Sequence, residues 1–220
     1  KRLLAILLLS CSISISASGR DSLLIMFWNV ENFFDYVDGG MSESDKEFSS
    51  SGSRRWTKKK FHTKCDAVAK SFFWTAEKYG RMPDVVGLAE VENRGVLTRL
   101  LNNTLLRKQG YRVVHYDSPD RRGIDVALLY RESVFRKISS SVKVPEYKGE
   151  RLRTRYILQV CLEDNMGQNI NMIVNHHPSK YGGAEESEGR RNAAMAALKE
   201  MCDSLISVGQ GQIVAMGDFN

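Results

Sequence analysis

KKKFHTKCDAVAKSFFWTAEKYGRMPDVVGLAE, residues 58–90, holds two periods in one stretch. Phe61, Cys65, Val68, Phe72 and Ala76 recur at spacings of three and four, which predicts a helix over 58–79. Gly80 and Pro83 end it. Asp84–Glu90 follows as a short apolar run between two carboxylates, the pattern of a buried strand. SLLIMFWN, 22–29, reads as another buried strand before the helix. Strand, helix and strand in this order give an α/β beginning.

Outward from that unit the alternation continues and then changes. Residues 94–108 return to helical period through Val96, Leu97, Leu100, Leu101 and Leu105. Strands are predicted at 111–116, 124–130, 134–144, 156–162 and 169–176. A helix over 187–207 places Ala194, Leu198, Met201 and Leu205 on one face, and QIVAMGDFN, 212–220, is a last strand. Residues 36–57, polar and rich in Gly and Ser, read as a loop ending in RRWTKKK. No internal repeat or domain linker is visible. A helix-flanked protein with mixed sheets is the expectation.

The 220 residues suffice for one full core, and 42% hydrophobic with 26% charged residues excludes a disordered or polytopic membrane chain. The net charge of +6 is compatible with an anionic substrate. Residues 1–18 combine Lys1-Arg2, an apolar Leu3–Leu9 run and a small-residue exit, as in a secretory signal peptide. The run is too short for the roughly 20 residues of a membrane span. Cleavage near Ala17–Gly19, lipidation at Cys11 and an N-terminal core helix are the alternatives. Export leaves residues 19–220 as the domain, with a charge near +4, outside the cytoplasm. Cys65, Cys161 and Cys202 lack metal-site spacing and read as small core residues.

Polar residues gather where strands end. Asn29, Glu90, Asn175-His176 and Asp218 with Asn220 all follow apolar runs. In layered α/β folds sites collect at the carboxyl ends of strands. An oxygen-rich set with few His and no sulfur suits Mg²⁺ or Mn²⁺ better than zinc. Taken singly, each residue is as well explained by a turn, a cap or a buried histidine.

WNVEN (28–32), GLAEVEN (87–93), RGIDVALLY (122–130), NHHPSK (175–180) and GDFN (217–220) occur in that order. Together they resemble the endonuclease/exonuclease/phosphatase superfamily, of deoxyribonuclease I-like fold, over residues 24–220. The resemblance implies a four-layer α/β/β/α sandwich of two packed mixed sheets. It implies a metal-dependent phosphoric ester hydrolase that works by attack of an activated water, and the leader pattern adds the expectation of an exported bacterial member. Asn29 and Glu90 match the family's metal-binding residues, with Mg²⁺ expected and Mn²⁺ as the alternative. Asp218 matches the water-orienting Asp. Asn220 and His176 match the residues that contact the scissile phosphate. Asn175 and Lys180 share the NHHPSK motif and are expected beside the substrate. Asp125 lies in a recurrent stretch without an assigned role, and pairing with Arg121 or Arg122 is an equal reading.

The chemistry suits those roles. A cation on Glu90 would neutralise phosphate charge. A donor preplaced at developing charge is worth about 3 kcal/mol. Family members carry a further Asp-His pair beyond GDFN, which lies past Asn220. The chain as given is therefore expected to lack its C-terminal part and to be impaired. Tyr156 stands where relatives often have an acidic residue, and His177 where Trp is common, which bears on substrate stacking.

The substrate stays open among nucleic acid, a phospholipid headgroup and a small sugar or inositol phosphate. Arg54, Arg55 and Lys58–Lys60 with Trp56 could track a phosphate backbone and stack a base. A solvated helix start explains them equally well. Nucleic acid leads, a lipid or small phosphate follows, and a catalytically dead binding module is third. No feature calls for a protein partner, and the chain reads as a monomer.

Overall fold

The structure, a computed structural model, describes residues 22–37, 39, 42–180 and 182–220. The signal peptide or lipidated Cys11 expected at the N-terminus falls outside them. In chain order come β1 (Ile25–Phe33), α1 (Glu43–Glu47), α2 (Lys58–Tyr79), β2 (Val85–Val91) and α3 (Arg94–Asn103). A 3₁₀ turn (Leu105–Lys108), β3 (Tyr111–His115), β4 (Asp125–Arg131) and β5 (Phe135–Lys143) follow. The hairpin β6 (Glu146–Tyr147) and β7 (Glu150–Arg151) leads to β8 (Ile157–Asp164), β9 (Asn169–His176), α4 (Ala184–Ser207) and β10 (Ile213–Asp218).

Two four-stranded sheets form, ordered β1-β2-β4-β3 and β10-β9-β8-β5. Each has one parallel pair, β1 with β2 and β10 with β9, joined through a helix, and the other pairings are antiparallel. Strand period decides the layers. Ile25, Val85, Ala89, Val126 and Leu128 of the first sheet face Leu158, Val160, Met172, Val174, Val214 and Met216 of the second in one core. The opposite face of the first sheet buries Met26, Val86 and Leu88 against Phe61, Val68 and Phe72 of α2 and Leu97 and Leu100 of α3. The outer face of the second packs Ile157 and Ile173 against Ala197 and Leu198 of α4. The result is the expected α/β/β/α sandwich.

Caps set the helix limits. Thr57 accepts from Lys60 N at the start of α2, and Gly80 closes it with φ 73°, a left-handed conformation suited to glycine. Asn93 accepts from Val96 N and starts α3. Among the described residues, no helix is long and apolar enough to cross a membrane.

Three sequence expectations change. The loop over 36–57 contains α1, capped by Ser42, and Phe48 stacks on Phe34 with centroids 5.0 Å apart. Five residues are too few for a periodic signal. The hairpin β6–β7 was not anticipated; its Tyr147 packs where Gly189 of α4 lacks a side chain. Cys65 and Cys161 are buried core residues as expected, but Cys202 is only partly covered.

Candidate active site

The polar strand ends meet because of parity. Asn29 is two and four residues beyond Phe27 and Ile25, which face the core between the sheets. His176 follows Val174 by two, and Asp218 follows Met216 by two. All three therefore continue the inner faces past the apolar core. The pairing of Asp218 with His176 across β10 and β9 puts those two side by side.

Glu90 should point outward by the same count, since Leu88 packs against the helices. A bulge intervenes: the β2–β4 register shifts between Ala89 and Val91, and Glu90 has φ 62°. Bulges re-aim side chains, and left-handed non-glycine residues concentrate at functional sites. β1 has its own irregularity between Asn29 and Phe33, with Glu31 and Asn32 at φ 53° and 51°. That turn presents Asn32 N to Glu90 Oε2 at 2.8 Å. Lys64 of α2 donates its Nζ to the Glu31 carbonyl and holds the turn from behind.

Asn29 Nδ2 donates to Asp218 Oδ2 at 3.0 Å and lies 3.5 Å from Glu90 Oε1. Arg122 reaches Glu90 Oε2 at 3.4 Å and Asn32 Oδ1 at 2.7 Å. His176 Nε2 is 3.9 Å from Asp218 Oδ2. Asn220 donates its backbone N–H to Asp218 Oδ1 at 3.1 Å and its amide to the His177 carbonyl at 2.8 Å. A second amide hydrogen of Asn220 remains for a ligand.

The protonation states follow. Burial pushes the Asp218 carboxyl up, but the Asn29 amide, the Asn220 N–H, His176 and Arg155 outweigh it and hold it below the usual range. Burial and Arg155 push His176 down to about 4 against the pull of Asp218 and Glu90, so it is neutral at pH 7. At pH 7 an ionised carboxylate thus sits beside a neutral imidazole.

Two carboxylates flank one amide, with no sulfur in the set. Asn29 turns its Nδ2 to both carboxylates and its Oδ1 to Glu31 N at 3.0 Å, so the oxygens that suit a hard divalent cation here are those of Glu90 and Asp218. A separate set lies at the start of β4: His115 Nε2 is 3.2 Å from Asp125 Oδ2 and His115 Nδ1 is 3.9 Å from the exposed Asp117. Each ring nitrogen there faces a different carboxylate. Asp125 also accepts from Ser118 N at 3.0 Å. Its partner is His115, and not Arg121 or Arg122 as the sequence suggested.

The remaining sequence candidates fall elsewhere. Asn175 has the outward parity of Ile173, is fully buried, and donates to Met216 O at 3.0 Å. It braces β9 on β10 and offers no surface to a substrate. Arg55 and Lys180 are exposed and make no contact with the residues above. Trp56 is tied to Phe34 O by its indole N–H at 2.8 Å and packs on Phe48, which takes it away from base stacking. His177 is buried edge-on against Phe219, and Phe219 is the exposed aromatic of that pair.

Sequence reasoning missed Arg122, Arg155 and Glu92. Arg155 and Asp120 form a buried ion pair at 3.0 Å, and Arg155 also donates to the His177 carbonyl. Arg122 opens RGIDVALLY, which was the available signal, and Arg155 directly precedes the strand expected at 156–162. Glu92 accepts from Asp35 N at 2.7 Å, and burial pushes its carboxyl up to about 8. In GLAEVEN the first Glu faces the site, the second ties down β1, and the Asn caps α3.

Comparison with known proteins follows the same lines. A search of curated proteins gives no match. Human Nocturnin's catalytic domain, solved with bound sulfate, superposes with a TM-score of 0.54 at 16% identity, covering 90% of this chain and 64% of that one. Truncated TDP2 from Caenorhabditis elegans gives 0.58 at 17%, covering 90% and 62%. D. rerio TDP2, complexed with single strand DNA product, gives 0.50 at 15%, covering 90% and 60%. The chain thus spans under two thirds of these structures, whose low identity speaks for the fold alone. The Endonuclease/Exonuclease/phosphatase family model matches residues 24–220, and with the sandwich and its converging strand ends in place, the chain belongs to that family.

Proposed function

We propose that this chain carries the catalytic core of an exported, divalent-metal-dependent phosphodiesterase acting on nucleic acid. One observation carries the reading: Asn29, Glu90, His176, Asp218 and Asn220 converge where the inner faces of both sheets end. Glu90 and Asp218 would hold Mg²⁺, or Mn²⁺ in its place, and Asn29 would join them through Oδ1 on turning its amide. The bound ion would neutralise phosphate charge and steady the leaving oxygen. Asp218, held ionised, orients a water for attack on phosphorus. Neutral His176 and the free amide hydrogen of Asn220 donate to the non-bridging oxygens without requiring a proton from solvent. Nucleic acid is favoured over other esters by the exposed Arg122 beside Glu90 and by the exposed Phe219, which offers a face for a base. The leader pattern of residues 1–18 supports action outside the cytoplasm.

The test is nicking of supercoiled plasmid by the full-length protein with Mg²⁺ and with chelator. Glu90→Ala should remove the Mg²⁺-dependent activity, by about 1,000-fold or more, while keeping the thermal midpoint near that of the wild type. Full activity in Glu90→Ala would refute the assignment.

A further inference from the structure

The loop before β4, the segment before β8 and the second turn of α4 bring five arginines to one cleft. Arg121, Arg122, Arg153, Arg155 and Arg190 line a space of about 430 Å³. Asp120 is the one carboxylate in that lining, and it is paired with Arg155 at 3.0 Å. Among the described residues, Arg121, Arg153 and Arg190 have no carboxylate in ion-pairing range. Guanidinium groups gathered in this way repel one another unless an anion sits among them. Their planar forks match phosphate oxygens in pairs.

A second observation points to the same cleft. Thr154 and Arg155 in its wall are both more than nine-tenths buried. Thr154 Oγ1 and Arg155 Nε have no hydrogen-bond partner among the described residues. Buried polar atoms are rarely left so, and both belong to residues that line the cleft.

The cleft adjoins the active site through two side chains. Arg155 donates to the His177 carbonyl, which also receives the Asn220 amide at 2.8 Å. Arg122 reaches from the cleft to Glu90 Oε2 at 3.4 Å. An anion among the arginines therefore lies next to the position of the phosphate under attack.

We propose that this cleft binds a second phosphate of the substrate, flanking the scissile one; the inference rests on the phosphodiesterase reading above. It narrows the substrate to esters with at least two phosphates. A phosphorylated oligonucleotide and a phosphorylated lipid headgroup share that chemistry. A lone diester leaves the cleft empty.

The double variant Arg153→Gln/Arg190→Gln tests it, since neither residue belongs to the catalytic set. With Mg²⁺ and the full-length protein, hydrolysis is compared for TpT, pTpT, TpTp and glycerophosphoinositol 4-phosphate. A substrate with a flanking phosphate should be cleaved with kcat/KM about tenfold or more above TpT. The double variant should lose that preference through KM and leave TpT unchanged. Preference for a phosphorylated dinucleotide identifies nucleic acid as the source, and preference for the inositol ester a headgroup; both support the second subsite. Equal rates on TpT and every phosphorylated ester would overturn it.

Titration of the metal-free protein with pyrophosphate, followed by calorimetry, reads the cleft without catalysis. Binding weakened about tenfold or more in the double variant supports the subsite even if no ester is cleaved in a Glu90-dependent way, an outcome that would sink only the phosphodiesterase reading. Pyrophosphate binding equal in both proteins, or absent from the wild type, overturns the subsite.

Discussion

Gly217→Ala adds one methyl group beside Asp218, the residue we propose to orient the water. Gly217 pairs with Asn175 across β10 and β9. A Cβ built on it would stand 2.2 Å from the Asn175 carbonyl oxygen and 2.7 Å from both Cγ and Oδ1 of that side chain. Real Cβ contacts essentially never fall below 3.0 Å, so the two strands must part by about 0.8 Å at this point. Overpacking of this kind costs about 1–3 kcal/mol. Asp218 and His176 lie one residue further along the same pair, so the displacement reaches them directly. A misplacement near 1 Å costs on the order of 100-fold in rate. The expected result is a modestly lowered midpoint in urea and about a 100-fold loss of kcat/KM in plasmid nicking. Adding Asn175→Ala should not rescue it, because the nearest atom is backbone. An unchanged midpoint with unchanged activity would refute the argument that glycine is required there, and rescue by Asn175→Ala would refute the assignment of the clash to the carbonyl.

Two other perturbations test the electrostatics. His176 has a folded pKa of about 4 against an ordinary 6.5, so the unfolded chain binds more protons between those values. The His176 contribution to metal-free stability should be full above pH 6.5 and fall by about 3 kcal/mol as pH drops to 4, read as the difference in denaturant midpoints between the wild type and His176→Asn, because Glu92, pushed up to about 8, adds a slope of opposite sign to both proteins. His177, also lowered by burial, adds in the same direction. Arg155→Met strands the Asp120 carboxylate at 6% side-chain exposure and should cost about 3–5 kcal/mol in thermal unfolding; a loss below 1 kcal/mol would show that the pair is not the brace described.

Much of the fold is legible in residue order. The spacing from Phe61 to Ala76 is a helical face, Gly80 is its stop, and α2 runs Lys58–Tyr79 as read. NINMIVNH alternates without charge and becomes β9 at its expected limits. Short elements escape, because α1 and the two-residue strands β6 and β7 hold less than one period of either pattern. In the site, parity was available and unused: counting by two from Ile173 sends Asn175 outward, and from Val174 sends His176 inward.

The order and type of the long elements and the polar character of the strand ends are local and depend on spacing along the chain, so residue order alone sets them. The motifs also identified the family. Which strand ends meet, and how they face, depends on the packing of the two sheets. Glu90 turns inward through a bulge set by pairing with β4, and Asp218 reaches Asn29 across 189 residues. The five arginines of the second cleft come from three separate segments and share no spacing. Such contacts are fixed by the packing of two sheets, and a pattern along one chain carries no distance between residues that far apart.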